Sequence, residues 1–421
     1  MNPLARLQAR LGRRFAANLS ALAAGQLAMR ASRLVTTVIL MRLLSPADFG
    51  TAAVVLTVYE LVALFTRNGI AARVVQAGDA EVGRVAETAY WLTWIACGAL
   101  VLVQAAIALP IAWLYQDAEL ALPIALMGVI YLATPLCNIQ CALMQREGRM
   151  GRIALAGTVQ VVADNALTAL FALLGMGMWA IVLPKILVAP IWVAFTLTGH
   201  AWRPRWPVAA TMLEGWREIL RFSRGVLAVE AMTTLQANVD NLMVGYLLGM
   251  EALGVYYFAF NAGLGITLGL VNAFGSAVYP HLCEVRANRA ALAARYHDSL
   301  RTLGAVVVPL ILLQVILAPI YVPLVFGEKW VGAVPVLMII CLSALPRPFA
   351  TTCSQLLKAV GHPGAELRWQ AWLTALLIGA IALGTLGGVI GVALAVLAVH
   401  AVVLVAFCWR APRPFITPLA A

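Results

Sequence analysis

Five cationic side chains, Arg30, Arg33, Arg67, Lys185 and Arg347, interrupt segments that are otherwise apolar enough to span a bilayer. A charge at bilayer depth costs roughly 2.5–3.5 kcal/mol on insertion scales. Each must snorkel, pair with an acid, or line a wet interior. An arginine in a wet interior suits one kind of chemistry, because its planar fork matches phosphate oxygens bidentately. Arg30 and Arg33 are three apart and so neighbours on one helical face. Both fall near the middle of their segment, about 15 Å from either surface of a hydrocarbon core about 30 Å thick, where snorkelling is least effective. Two readings stand for this pair: a clamp on a phosphorylated anion, or a structural pair neutralised by acids such as Glu60.

The other polar residues of these segments also read two ways. Arg67 and Lys185 lie nearer segment ends and can snorkel, Lys185 as an interfacial anchor. Arg347 lies between Pro346 and Pro348, where it could satisfy backbone carbonyls that prolines free, or face the interior. The acids are Glu60, Asp164, Glu230 and Asp240. A carboxylate in a low-dielectric site can titrate near neutral pH, so each is a candidate for coupling to sodium ions or protons, or the partner of a cation. The histidines have no metal spacing. Cys137 and Cys141 share a face with no further ligand nearby, so neither a metal nor another cofactor is expected.

Apolar helices must position these side chains. Of 421 residues, 63% are hydrophobic and 11% charged, against about a quarter charged in a typical soluble domain. The apolar runs are too long for strands and lack a barrel's alternation. They predict an all-α integral membrane protein with twelve spans at about 18–42, 50–72, 86–114, 120–144, 153–174, 178–199, 225–247, 253–280, 302–325, 333–357, 369–386 and 388–409. Residues 284–298 are long enough for a surface helix. The loops alternate between basic and nearly uncharged. Arg6, Arg10, Arg13 and Arg14 open the basic set, and Arg146, Arg149, Arg152, Arg203, Arg205, Arg217 and Arg221 continue it. The positive-inside rule then places both termini in the cytoplasm. That pattern assigns the net charge of +11 to a membrane surface and gives no reason to expect a nucleic-acid partner. Residues 1–14 read as a short interfacial helix, with no cleavable signal peptide apparent.

The chain carries a weak internal repeat. Leu44-Ser45-Pro46-Ala47-Asp48-Phe49-Gly50 parallels Leu248-Gly249-Met250-Glu251-Ala252-Leu253-Gly254, an offset of 204. Leu143–Gly148 parallels Leu356–Gly361 at 213, and Leu174-Gly175 parallels Leu386-Gly387 at 212. These landmarks fit one duplicated six-helix unit. Six spans return the chain to its starting side, so the halves, 1–205 and 206–421, share an orientation with a path between them.

With Leu43–Gly50 closing span one, Gln145–Arg149 after span four and Phe326–Trp330 after span nine, the chain resembles the Wzx-type polysaccharide and O-antigen flippases of the multidrug/oligosaccharidyl-lipid/polysaccharide (MOP) exporter superfamily. The resemblance implies two six-helix lobes in a V, alternating access, and an undecaprenyl-pyrophosphate-linked oligosaccharide carried to the outer leaflet of the bacterial inner membrane. It implies that cavity cations, here Arg30, Arg33, Arg67 and Arg347, hold the pyrophosphate. Membrane lipids and a polysaccharide polymerase or export machinery are the expected partners. Spans seven and eight lack the cation that the family places there. Rivals are a lipid II flippase, which usually has fourteen spans, and a multidrug extruder, which should carry an acid-dominated lobe. A membrane glycosyltransferase or polymerase would need a large outer catalytic loop, and every expected outer loop is short.

Overall fold

The structure, a computed structural model, describes residues 13–66, 69–205, 216–286 and 288–416. Among them there are helices and no strands. The α-helices are α1 (Arg13–Leu43), α2 (Pro46–Ala63), α3 (Ile70–Gln76), α4 (Val82–Leu114), α5 (Ala121–Met127), α6 (Ala133–Arg146), α7 (Met150–Leu173), α8 (Trp179–Leu187) and α9 (Ala189–Gly199). After the linker come α10 (Trp216–Leu248), α11 (Met250–Cys283), α12 (Arg289–Tyr321), α13 (Val334–Ser343), α14 (Arg347–Ala359), α15 (Pro363–Gly384), α16 (Gly388–Val399), α17 (Val405–Arg410) and α18 (Arg413–Ile416). Among the described residues, eight helical stretches are long and apolar enough to cross a membrane, and one of them, Gly364–Phe415, runs through two of the expected spans. This is a multi-pass membrane protein.

Several expected single spans are interrupted. The fourth is α5, a tight 3-10 turn at Gly128–Leu132, then α6. The tenth breaks between α13 and α14, where Pro346 is the last residue of the junction and Pro348 the second of α14. The sixth breaks at Val188, and the twelfth widens into a π-helical segment at His400–Leu404. Val188 and His400 are 212 residues apart, the repeat offset itself. Turn geometry repeats as well. Gly148 (φ 71°) and Gly361 (φ 81°) end α6 and α14 in the left-handed region, where glycine carries no Cβ penalty. Gln116 (φ 53°) stands 211 residues before Gly327 (φ 104°). The surface helix expected at 284–298 is instead absorbed into α12. Asn288 caps that helix by accepting from the Ala291 N–H at 3.1 Å, and no proline interrupts it before Pro309.

By packing, the chain forms two compact units. Unit 1 holds residues 1–45 and 55–235; unit 2 holds 46–54 and 236–421. This cut differs from chain order in two places: the first turns of α2 belong to unit 2, and α10 up to Leu235, more than half of that helix, to unit 1. In unit 1, α1 lies along α7. A buried cluster of Ile70, Val74, Ala86, Ala89, Ile139 and Ala142 joins α3, α4 and α6. In unit 2, α11 packs against α13 and α14, and α15 against α16.

The start of the linker is pinned to unit 1. Arg203 donates to the carbonyls of Leu197 (2.6 Å) and His200 (2.7 Å), the Arg205 N–H reaches the Glu87 carboxylate at 3.2 Å, and Trp202 packs edge-on against Tyr90. His200 bonds Glu147 at 3.0 Å and, with Arg149 beside it, holds that carboxyl below the ordinary carboxylate range.

Candidate functional site

On α1 the seam with α7 and the cationic pair occupy different faces. Gly25 meets Thr158, the Asn165 amide donates to the Ser32 hydroxyl at 2.9 Å, and the Thr36 hydroxyl donates to the Asn165 carbonyl at 2.9 Å. At about 100° per residue, Arg30 points roughly away from Ser32, and Arg33 flanks the seam. Both arginines are exposed on the protein surface, and neither forms an ion pair with a described residue. Leu27 and Leu34, one turn either side of Arg30, are exposed at 68% and 58%. Two fork-shaped cations without an acid, set among apolar side chains, are suited to an amphiphile with an anionic head.

The other predicted residues are placed as follows. Arg67 lies outside the described residues. Glu60 is half-buried on α2, within electrostatic range of Tyr131. The Tyr131 hydroxyl is 3.2 Å from both the Tyr59 carbonyl and the Gln104 side-chain oxygen, and the Gln104 amide donates to Ile124 O at 3.0 Å. Glu230 is half-buried on α10. Asp164 of α7 takes a 2.9 Å ion pair from Lys185 of α8. Lys185, expected as an interfacial anchor, is therefore tied across a helix–helix contact. The second Asp164 oxygen is buried without a partner.

In unit 2, Asp240 of α10 accepts from the Tyr256 hydroxyl at 2.8 Å and from the Asn241 N–H at 2.9 Å. Arg347, the first residue of α14, lies within electrostatic range of both Asp240 and Tyr256 but outside ion-pair contact. Its guanidinium sits 5.8 Å from the Phe260 ring centre, a cation–π distance. His400 is 4% exposed and stands in the π-helical segment, its ring facing the backbone of Ser343 and its Nδ1 without a hydrogen-bond partner. The break in span ten thus delivers Arg347, the widening in span twelve delivers His400, and α10 and α11 deliver the acid and the phenol. Asp240 and Arg347 were legible as buried charges. Tyr256 and His400 were not, and the only sequence signal for either was a polar side chain within an apolar run. Among the described residues no group of histidines, cysteines and acids is placed to hold a metal, and all seven cysteines are free thiols.

Comparison with known proteins agrees with this architecture. The family described as "Polysaccharide biosynthesis protein" matches residues 39–335. The lipopolysaccharide biosynthesis protein WzxC of Escherichia coli K12 is 26% identical over 372 residues, 87% of this chain and 74% of that protein. The succinoglycan biosynthesis transport protein ExoT of Rhizobium meliloti is 25% identical over 391 residues, 92% of this chain and 78% of that protein. The teichuronic acid biosynthesis protein TuaB of Bacillus subtilis is 23% identical over 305 residues, and the chain spans only 62% of its length. Among solved structures, an inward-facing multidrug resistance MATE transporter of the MOP superfamily superposes with a TM-score of 0.73 at 15% identity, covering 92% of this chain and 94% of that one. The lipid II flippase MurJ, in an inward closed conformation, gives 0.73 at 13% identity, covering 92% and 86%. The fold is that of MOP superfamily transporters, and the chain belongs to the polysaccharide biosynthesis protein family.

Proposed function

We propose that this protein is a flippase, not an enzyme, that moves an undecaprenyl-pyrophosphate-linked oligosaccharide from the inner to the outer leaflet of the bacterial cytoplasmic membrane. The observation that carries the reading is the Arg30–Arg33 pair, exposed together on α1 among apolar side chains and without an acid partner among the described residues. The two forks would grip the pyrophosphate while the prenyl tail stays in lipid. Twelve spans in two six-helix lobes, rocking about a central cavity with both termini in the cytoplasm, supply the alternating access. Relatives named for lipopolysaccharide, succinoglycan and teichuronic acid biosynthesis support the cargo class. Arg67 and Arg347 are further cations for the anionic head. Arg347, placed beside Asp240 and Phe260, also suits fixing the break of span ten. No cofactor is needed. Coupling to sodium ions or protons would use Asp240 or the other buried acids, and transport that persists undiminished after ion gradients collapse would exclude it. The carried glycan would pass to a polymerase or export machinery at the outer face.

The deciding experiment is export of surface polysaccharide in a strain that depends on this gene, with protein level held equal. Each charge-assisted hydrogen bond contributes about 1.5–3 kcal/mol, so each single Gln variant should lose roughly ten- to hundredfold in transport. Arg30→Gln plus Arg33→Gln should all but abolish it. Full export by that double variant removes the phosphate clamp.

A further inference from the structure

The repeated turn Leu44–Gly50 and Leu248–Gly254 does more than end a span. In the structure residues 46–54 lie within unit 2, and the two copies of the turn meet there. A Cβ added at Gly50 would collide with the Met250 carbonyl oxygen and lie 3.1 Å from the Met250 Cα. A Cβ added at Gly254 would collide with the Pro46 carbonyl oxygen and lie 3.1 Å from the Pro46 Cα. Gly50 and Gly254 are equivalent positions of the repeat, and so are Pro46 and Met250. The contact is therefore isologous, each glycine meeting the first-turn carbonyl of the other copy, as in a two-fold interface. Neither glycine has a positive φ, so what the site requires of them is space.

The surroundings close over this crossing. Phe49 meets Trp330 edge-on at 5.5 Å, and Trp330 stacks on Phe258 at 4.3 Å. Phe49 is 2% exposed, and Trp330, Phe258, Ala52, Ala53 and Val54 are fully buried. Asp48 lies within electrostatic range of Lys329. Backbone against backbone leaves no flexible side chain to absorb a small shift. Such a contact is made or broken as a whole, the behaviour expected of a two-state element.

We infer that the Gly50–Gly254 crossing is a clasp at the outer end of the second span, closed in one state of the transport cycle and released in the other. The inference rests on reading the protein as an alternating-access transporter with this turn at the outer face. Gly50→Ala or Gly254→Ala would hold the clasp open, because the added carbon meets main chain and only separation of the helices makes room. The test uses a reporter cysteine, Ala53→Cys, and a membrane-impermeant maleimide applied from outside, with the protein carrying only its seven native cysteines as the blank. In the glycine background the reporter should label slowly; with either alanine, at an equal level of protein in the membrane, at least tenfold faster. A second arm leaves both glycines intact. Asp48→Cys with Lys329→Cys, joined through disulfides by a bis-methanethiosulfonate linker with loss of two methanesulfinates, should stop export, and reductant should restore it. Unchanged labelling in both alanine variants, or full export by the joined protein, overturns the clasp. Labelling needs no cargo. Polysaccharide export that proves independent of this protein would sink the flippase reading while the labelling result still decides the clasp.

Discussion

The cationic face of α1 in unit 1 and the polar core of unit 2 are built from the same residue types and do opposite things with them. Arg30 and Arg33 stand exposed, neither in an ion pair with a described residue. Arg347 is half-buried, sits 5.8 Å from the Phe260 ring centre, lies within electrostatic range of Asp240 and Tyr256 without an ion pair, and is likewise near a buried His400. A cation exposed among apolar side chains can exchange partners; one held at a cation–π distance from an aromatic ring, with an acid and a phenol nearby and its Nε buried without a hydrogen-bond partner, is fixed at a helix junction. The repeat sharpens the contrast. By the repeat offsets, the position of Asp240 in the first copy is Thr36, which ties α1 to α7, and that of His400 is Val188, at the break between α8 and α9. At Val188 and His400 the backbone is irregular in both positions, while the side chains differ.

The largest separation between the two regions should appear when each is disarmed. Arg30→Gln plus Arg33→Gln should remove transport and leave the thermal midpoint of the purified protein in detergent unchanged, since those side chains hold nothing among the described residues. Tyr256→Phe should do the reverse first. It strips the 2.8 Å donor from a carboxylate, a loss of about 1.5–3 kcal/mol for a bond to a charged group, and should lower the midpoint by several degrees. A double Arg variant that melts early, or a Tyr256→Phe protein as stable as the parent, would erase the distinction drawn between the two regions.

Much of the architecture was visible before any coordinates. The long apolar runs fixed the helical class, and Gly148 with Gly361 marked equivalent turns that do adopt positive φ. The arginine pair stood out as a candidate because two charges three apart in an oily helix need either an anionic ligand or a neutralising acid. What escaped depended on register between distant segments. Lys185 and Asp164 are 21 residues apart in the chain, and nothing in either segment says that the two side chains meet. His400 and Tyr256 look, in sequence, like any polar residue at a helix contact. The break at Gly128–Leu132 was hidden because hydropathy runs smoothly across it, whereas Pro346 and Pro348 marked the one at Ala344–Pro346.

The Lys185–Asp164 pair offers a middle-sized test of whether unit 1 also contains a structural charge pair. Lys185→Met would leave Asp164 with one oxygen newly unpaired and the other already without a partner. Breaking a buried pair costs about 3–5 kcal/mol; with Lys185 more than a third exposed the expected loss falls to roughly 1–3 kcal/mol. Adding Asp164→Asn should recover most of it in a double-mutant cycle read by thermal midpoint. Additive losses would mean that the two side chains do not stabilise each other, and the Asp164 carboxylate would then be free for another use.

The smallest expected effect compares one turn in its two copies. Gln116 is the only described residue other than glycine with a positive φ, and its counterpart by the repeat offset is Gly327. A side chain in that conformation is strained, while glycine accepts it at the cost of a more flexible unfolded chain. Gln116→Gly should therefore raise the thermal midpoint slightly, by the equivalent of about 0.5–1 kcal/mol, whereas Gly327→Ala should lower it by at least as much. Neither change should alter transport if the turn serves only to reverse the chain. A Gln116→Gly protein that is more stable yet transports more slowly would mean that the first copy keeps its glutamine for function, and that the divergence between the repeats extends from their cores to their turns.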